Sequence, residues 1–337
     1  MELELKKYVL ELGYTFRISR ESRDTQDSLV VCLSLNGETG YGEATTNSYY
    51  NVTVESMMAE ISEVEPYINT ITCIDPSEFH HYLTSKNLSQ FAICALDVAA
   101  HDLYGKLKGM PLYQLWNTSN EHYPITNYTI GIDTIEKMVE KMVKKPWPLY
   151  KIKLGTAYDL QIIEALRNHT DATFRIDANN AWSVEQTLQL APRLKDLQVE
   201  FLEQPLHAEN IEGYRALRGK CELPIIADES CIVEQDVARC AGLFDGVNIK
   251  LTKCGGLTPA LRMIQKAKSL KMKVMVGCMT ESTVGISAIA QLTPQLDYVD
   301  MDGAMLLKND IATGIQIQEG GKLNFPSIGG TGVRLLS

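Results

Sequence analysis

Short β-branched or aromatic runs alternate with amphipathic stretches along the last two thirds of the chain, and the runs return at a nearly constant interval. They are 126–131 (TNYTIG), 149–153 (LYKIK), 173–177 (TFRID), 198–203 (QVEFLE), 224–228 (PIIAD), 246–250 (GVNIK), 273–277 (KVMVG) and 298–302 (YVDMD). From the second run onward they end at residues 153, 177, 203, 228, 250, 277 and 302, steps of 22–27 residues. One such run fits a strand or a buried helix equally well, but eight strand–helix units of this size are what a closed parallel barrel requires. An open doubly wound sheet is the other way to arrange such units, and the near-equal repeat favours closure. No GxGxxG or GxxxxGK[ST] string follows the first run, which removes the usual nucleotide-binding reading.

The first third has a different texture. Residues 27–36 (DSLVVCLSLN) are strand-forming and end at Asn36-Gly37, a hairpin signal, and GYGEA (40–44) reads as the returning strand. From 52 to 115 the pattern is helical, with Phe91, Cys94, Ala95, Val98 and Leu103 on one apolar face. The resulting expectation is an α/β protein. Residues 1–120 form an α+β capping domain, completed by a glycine-rich tail at 309–337, and residues 121–308 form a (β/α)8-type barrel.

Composition narrows the function classes. The chain has 337 residues, 45% of them apolar, which is enough for a sizeable core, and a formal charge of −10, which argues against nucleic acid as a partner. No apolar run approaches the ~18 residues of a membrane span, and MELELKKYVLELGY lacks the apolar centre of a signal peptide. The eight cysteines form no CxxC pair and read as free thiols of a reducing, cytoplasmic compartment.

The ends of the strand-like runs are charged. Lys151 and Lys153 close the second, Asp177 the third, Glu203 the fourth, Asp228 the fifth, Lys250 the sixth, and Asp300 and Asp302 the eighth. In a parallel barrel these ends form the mouth, where chemistry is housed. Asp177, Glu203 and Asp228 converge on one side, where they repel one another unless a cation lies between them; all-oxygen ligation suits a hard ion such as Mg²⁺. Buried salt bridges to lysines are the alternative. Lys153 and Lys250 face each other across the mouth, and each can act as a base if a divalent ion, a second lysine and limited hydration lower its pKa. One lysine would remove a proton α to a metal-held carboxylate, the metal would stabilise the enediolate, and the other lysine would reprotonate the opposite face.

The strings YKIKLG (150–155), RIDANNAW (175–182), EQP (203–205), ADES (227–230) and NIKLTKCGG (248–256) resemble the enolase superfamily, muconate-lactonizing-enzyme subgroup, and the resemblance spans the whole chain. It implies a modified, enolase-like barrel with one Mg²⁺ on Asp177, Glu203 and Asp228. It also implies an acid/base pair of Lys153 and Lys250, a substrate-carboxylate contact at Lys151 and a homo-oligomeric assembly. The subgroup includes cycloisomerases, o-succinylbenzoate synthases, N-acylamino acid racemases and dipeptide epimerases; a non-catalytic barrel binder is the rival of another class. Asp300-Met301-Asp302 separates them. Two aspartates at i,i+2 form an anionic clamp that fits a free α-ammonium group, and this DxD resembles the signature of dipeptide epimerases.

The implied reaction is therefore epimerisation at the α-carbon of the C-terminal residue of a small dipeptide, L-Ala-D/L-Glu in particular, as in murein peptide recycling. Acid specificity is placed in a loop at 17–26 (RISRESRDTQ), with Arg20 and then Arg23 as the guanidinium for a γ-carboxylate; Glu21 falls where some relatives carry that arginine. A solvated basic loop paired to Glu21 and Asp24 is the alternative. Asn179 and Glu281 are expected to support the site, Cys278 and Met279 to shape the pocket wall, and Lys253 to serve as a loop or supporting cation. His80, His81 and His101 are expected to be structural, and a place on the rim for His207 is the minority reading.

Overall fold

Alternation of polar and apolar residues builds the N-terminal sheet. In the computed structural model, which describes residues 1–18 and 21–336, strands β1 (Glu2–Ile18), β2 (Glu21–Leu35) and β3 (Glu38–Thr45) form an antiparallel sheet in that order. The central strand is buried on both faces. Leu29, Val31 and Leu33 pack under helices α1 (Val54–Ile68), α2 (Pro76–Thr84) and α3 (Gln90–Lys108). Val30 and Cys32 on the other face meet Val284, Ala312 and Val333, so the C-terminal tail covers the back of this sheet. The described residues of the expected loop at 17–26 are strand: Phe16, Arg17 and Ile18 pair with Arg23, Ser22 and Glu21. The alternating ELELKKY start carried that signal, since its period of two is a strand period.

The GYGEA string is explained by close approach. A Cβ on Gly40 would lie 2.2 Å from the Ala99 carbonyl oxygen, and one on Gly42 would lie 2.1 Å from that of Ala95. The two glycines therefore let β3 lie directly on α3. Glu43 follows them, and its buried carboxylate accepts from Ser28 Oγ, Ser282 N and Oγ, and Gly285 N.

After α4 (Leu112–Leu115) the chain winds through β4 (Tyr128–Ile130), α5 (Ile135–Lys144), β5 (Leu149–Lys153), α6 (Asp159–Arg167), β6 (Thr173–Asp177) and α7 (Val184–Asp196). It continues through β7 (Val199–Glu203), α8 (Ile211–Leu217), β8 (Ile225–Ala227), α9 (Glu234–Cys240), β9 (Gly246–Lys250), α10 (Leu251–Cys254) and α11 (Leu257–Ser269). The last units are β10 (Lys273–Gly277), α12 (Thr283–Leu292) and β11 (Tyr298–Asp300). Strands β4 to β11 form one parallel sheet in sequence order. A parallel bridge between Thr126 and Val299, with Met301 N donating to Thr126 Oγ1 at 2.9 Å, brings its two ends together into a barrel. The expected runs at 149–153, 173–177, 246–250 and 273–277 are strands with those bounds. The eighth stops two residues early, because Asp302 already begins a 3-10 turn.

Inside the barrel the lower layer is dry and aromatic. Phe201, Ile226 and Met275 pack together, and the Arg175 guanidinium lies against the rings of both Phe201 and Tyr298 while bonding Glu200 at 2.7 Å. The upper layer is polar and forms the mouth. In the tail, β12 (Ala312–Thr313) pairs with β15 (Arg334–Leu335), and β13 (Gln316–Ile317) pairs with β14 (Leu323–Asn324). Asp102 on α3 anchors the tail by accepting from Thr331 N and Oγ1. No helix among the described residues is long and apolar enough to cross a membrane.

Gly42→Ala forces a methyl group into backbone, so the β3–α3 contact must open. Overpacking of this kind costs ~1–3 kcal/mol. The urea midpoint of unfolding should fall accordingly; an unchanged midpoint would mean that sheet and helix can part freely.

Candidate active site

Strand register aligns the charged residues. Lys153, Asp177 and Glu203 are successive Cα partners across β5, β6 and β7, and all three end their strands. Beyond the ends the backbone turns sharply: Asn179, Asn180 and Gln204 have φ of 44°, 68° and 40°, the left-handed region that residues with a Cβ enter at a cost. Gln204 holds the next element in place. Its Oε1 accepts from Asp228 N and Ser230 N, and its Nε2 donates to Leu206 O, Tyr214 Oη and Ser230 Oγ. Asp228, just past β8, is thereby fixed beside Glu203.

One carboxylate oxygen from each of Asp177, Glu203 and Asp228 lies within 4.8 Å of the others, and all three residues are buried. At that separation each pair of charges repels by about 3 kcal/mol at an effective dielectric of ~20, or about 10 kcal/mol for the trio. That is the order of a whole domain's stability, so positive charge must balance it. Lys151 Nζ lies 2.7 Å from Glu203 Oε2, 3.0 Å from Asp177 Oδ2 and 2.8 Å from Asp300 Oδ2. Lys153 Nζ contacts Asp177 Oδ2 at 2.6 Å, and Lys250 Nζ contacts Asp228 Oδ2 at 2.9 Å. Asn248 Nδ2 donates to Glu203 Oε1 at 2.7 Å, and the other oxygen, Oε2, is the one that Lys151 meets.

The titration of these groups records the imbalance. Burial, with Asp177 and Asp228 nearby, pushes the Glu203 carboxyl up to about 7 despite Lys151. Asp177 and Asp228 are also raised by burial, but their lysine partners outweigh it and hold both well below the usual range. The lowering expected at Lys250 needs a divalent ion beside it, and among the protein's own groups the balance runs the other way. Burial pushes the ammonium down, yet Asp228 and Glu203 prevail and hold it above its ordinary value. The trio is nearly balanced by Lys151, Lys153 and Lys250, but Glu203 is not relieved. The trio's donors are all hard oxygens, and one buried carboxylate is driven toward its neutral form, so the set fits a small divalent cation such as Mg²⁺.

Across the mouth, Asp300 and Asp302 lie beside Cys278. Asp300 Oδ1 accepts from Asn127 Nδ2 at 2.8 Å and Oδ2 from Lys151, and these partners hold its carboxyl down at about 2 against burial. Asp302 accepts from Thr129, whose N and Oγ1 donate at 2.5 and 3.2 Å. Burial and the neighbouring Asp300 push it up to about 8, so of the two it is the one that wants a further cation. The two aspartates, Lys151, Lys153, Lys250 and Asp228 all line one cavity, partly open to solvent.

Asn179 lines the cavity, and its backbone N–H donates to Asp177 Oδ1 at 3.0 Å. Glu281 is buried and accepts from Met279 N at 2.7 Å, with burial and Glu43 pushing it up to about 8. Cys278 and Met279 form part of the wall, and His101 is buried against Thr258. The arginines stand differently. Arg20 lies outside the described residues. Arg23 reaches the cavity rim, but its guanidinium is taken by Glu21 at 2.5 Å and by Gln26. Sequence reasoning missed Asn127, Thr129, Gln204 and Asn248, which hold the charged groups. An inward phase two residues before a charged strand end, as Asn248 stands before Lys250, was the available signal.

Comparison with known proteins places the chain. Residues 134–336 match the Enolase C-terminal domain-like family model, and residues 5–116 match the Mandelate racemase / muconate lactonizing enzyme, N-terminal domain model. A protein of Maribacter sp. named L-Ala-D/L-amino acid epimerase is 64% identical over 99% of both chains; one of that name from Flavobacterium johnsoniae is 56% identical over 100% of both. Among solved structures, the dipeptide epimerase of Cytophaga hutchinsonii, complexed with Mg and the dipeptide D-Ala-L-Val, superposes with a TM-score of 0.93 at 26% identity. That match covers 99% of this chain and 95% of the other. With both of its domains matched and its strand-end lysines gathered with Asp228, Asp300 and Asp302 in one cavity, the chain belongs to the mandelate racemase / muconate lactonizing enzyme branch of the enolase superfamily.

Proposed function

We propose the following chemistry for this site. The chain is a Mg²⁺-dependent dipeptide epimerase, an isomerase that inverts the α-carbon of the second residue. The observation that carries the reading is the placement of Lys153 and Lys250 on strands four apart in the eight-stranded barrel. They therefore stand on opposite sides of one cavity, with the carboxylate trio on the strands between. A binder has no use for two opposed bases.

Asp177, Glu203 and Asp228 hold the metal. When bound, Mg²⁺ supplies the positive charge that offsets this trio and stabilises the negative charge developing on the substrate carboxylate as the α-proton leaves. Lys153 takes or gives that proton on one face and Lys250 on the other, so inversion follows from the two amines' positions. Lys151 ties Asp177, Glu203 and Asp300 into one unit and keeps the two acid groups in register with each other. Asp302, with Asp300 behind it, takes the free N-terminal ammonium of the dipeptide. This requirement separates the reading from an N-acylamino acid racemase or a cycloisomerase, whose substrates bring no cation to that spot.

For the second residue, L-Ala-D/L-Glu lies within the range supported by the names of the Maribacter and Flavobacterium relatives, and murein peptides are one source of it. The pairing of Arg23 with Glu21 argues against a strict need for an acidic side chain, because a carboxylate would have to displace Glu21 first. All eight cysteines are free, which suits a cytoplasmic enzyme.

Three outcomes test the reading. Lys153→Ala and Lys250→Ala should each lower epimerisation at least ~10²-fold. In D₂O each variant should still exchange the α-proton of one epimer only, a different one in each; two-sided exchange in either variant removes the two-base scheme. Chelation should abolish turnover and Mg²⁺ should restore it, as followed by polarimetry. Asp302→Asn should raise the dipeptide KM by about thirtyfold, or about 2 kcal/mol, while Mg²⁺ affinity stays within twofold. Equal loss of both would place Asp302 with the metal instead.

A further inference from the structure

The string NIKLTKCGG carries a second lysine that the reaction does not use. Strand β9 ends at Lys250, and the one-turn helix α10 folds back so that Lys253 returns to the strand ends from below. Two glycines permit this. Gly255 and Gly256 have φ of 98° and 113°, and a Cβ on Gly256 would lie 2.3 Å from Asp97 Oδ2 on α3. Lys253 is 1% exposed and does not line the cavity. Its Nζ donates to Asp228 Oδ1 and Asp228 O, both at 2.5 Å, to Cys231 O at 3.0 Å and, more weakly, to Asn248 O at 3.4 Å.

Three carbonyl oxygens and one carboxylate oxygen around a buried ammonium make a cradle of the kind that holds a monovalent cation. Among the described residues, Asp228 is the only side chain that accepts from it. Oδ1 is engaged from behind, and Oδ2 is the oxygen left toward Lys250 and the cavity. Asn248 belongs to the same unit, since its carbonyl faces Lys253 while its amide holds Glu203.

We infer that Lys253 is a positioning residue, a tethered monovalent cation that locks Asp228 so that only Oδ2 is presented to the divalent metal. This rests on the reading of Asp228 as a metal ligand. Groups that orient a ligand from behind typically govern metal affinity by 10–100-fold, without touching substrate.

The test uses Mn²⁺ as the probe, its free concentration read by electron paramagnetic resonance on the full-length protein, with folding checked by circular dichroism. Lys253→Met keeps the apolar stem and removes the charge; Lys253→Ala leaves the cradle open. Both should bind Mn²⁺ about 10–100-fold more weakly than wild type. Ammonium chloride should restore most of the loss in Lys253→Ala and little in Lys253→Met, while tetramethylammonium at equal ionic strength should restore neither. A merely structural lysine predicts the opposite pattern, with Lys253→Met normal and ammonium without effect. Unchanged or tighter Mn²⁺ binding by folded Lys253→Met overturns the inference, and so does a folded Lys253→Ala that ammonium leaves unimproved. If Lys253→Ala fails to fold, the Lys253→Met affinity decides alone. A wild-type chain that binds no Mn²⁺ overturns the metal reading beneath the inference, and is told apart from the other outcomes because it needs no variant.

Discussion

Mutual repulsion among three buried carboxylates is the constraint around which this molecule is organised. Asp177, Glu203 and Asp228 stand close together, away from water, and the surrounding residues respond to that cost. Lys151, Lys153, Lys250 and Lys253 each put an ammonium group on one or more of them. Even so, Glu203 remains driven toward its neutral form. A cluster held so nearly in balance is suited to take up a divalent charge. The proton inventory around it changes when it does.

The scaffold delivers the groups through register rather than through loops. Because Lys153, Asp177 and Glu203 are opposite one another in adjacent strands, their relative positions are fixed by backbone hydrogen bonds. The less regular members need extra support. Asp228 lies beyond its strand and is held by Gln204 and Lys253, and Asp302 lies beyond its strand and is held by Thr129. Precision at the mouth thus comes from two sources, sheet geometry for some residues and polar side-chain networks for the rest.

Much of this was legible in the sequence because its signals are periodic. The repeat of apolar runs locates the barrel strands, and the phase at their ends locates the acids and lysines. What periodicity does not carry is side-chain partnership. The sign of the shift at Lys250 depends on whether nearby carboxylates or nearby ammonium groups prevail, and that is decided by distances of 3 Å rather than by spacing along the chain. Arg23 looked available for a substrate carboxylate only until Glu21, two residues away on the same strand, was seen to hold it. The 17-residue first strand was readable from its alternation, but charged residues at its polar positions made it resemble a solvated segment.

Glu43 shows how the two halves of the chain are joined. It stands on the sheet of the first half, yet its carboxylate closes the leading turn of α12, a helix of the second half that directly follows the loop carrying Cys278, Met279 and Glu281. An excised barrel would lose this carboxylate from the start of α12 and leave the Ser282 and Gly285 N–H groups to water, next to the loop that forms part of the cavity wall. A cap exchanged into this chain would have to bring an acid to this same joint, which ties together two regions more than 200 residues apart.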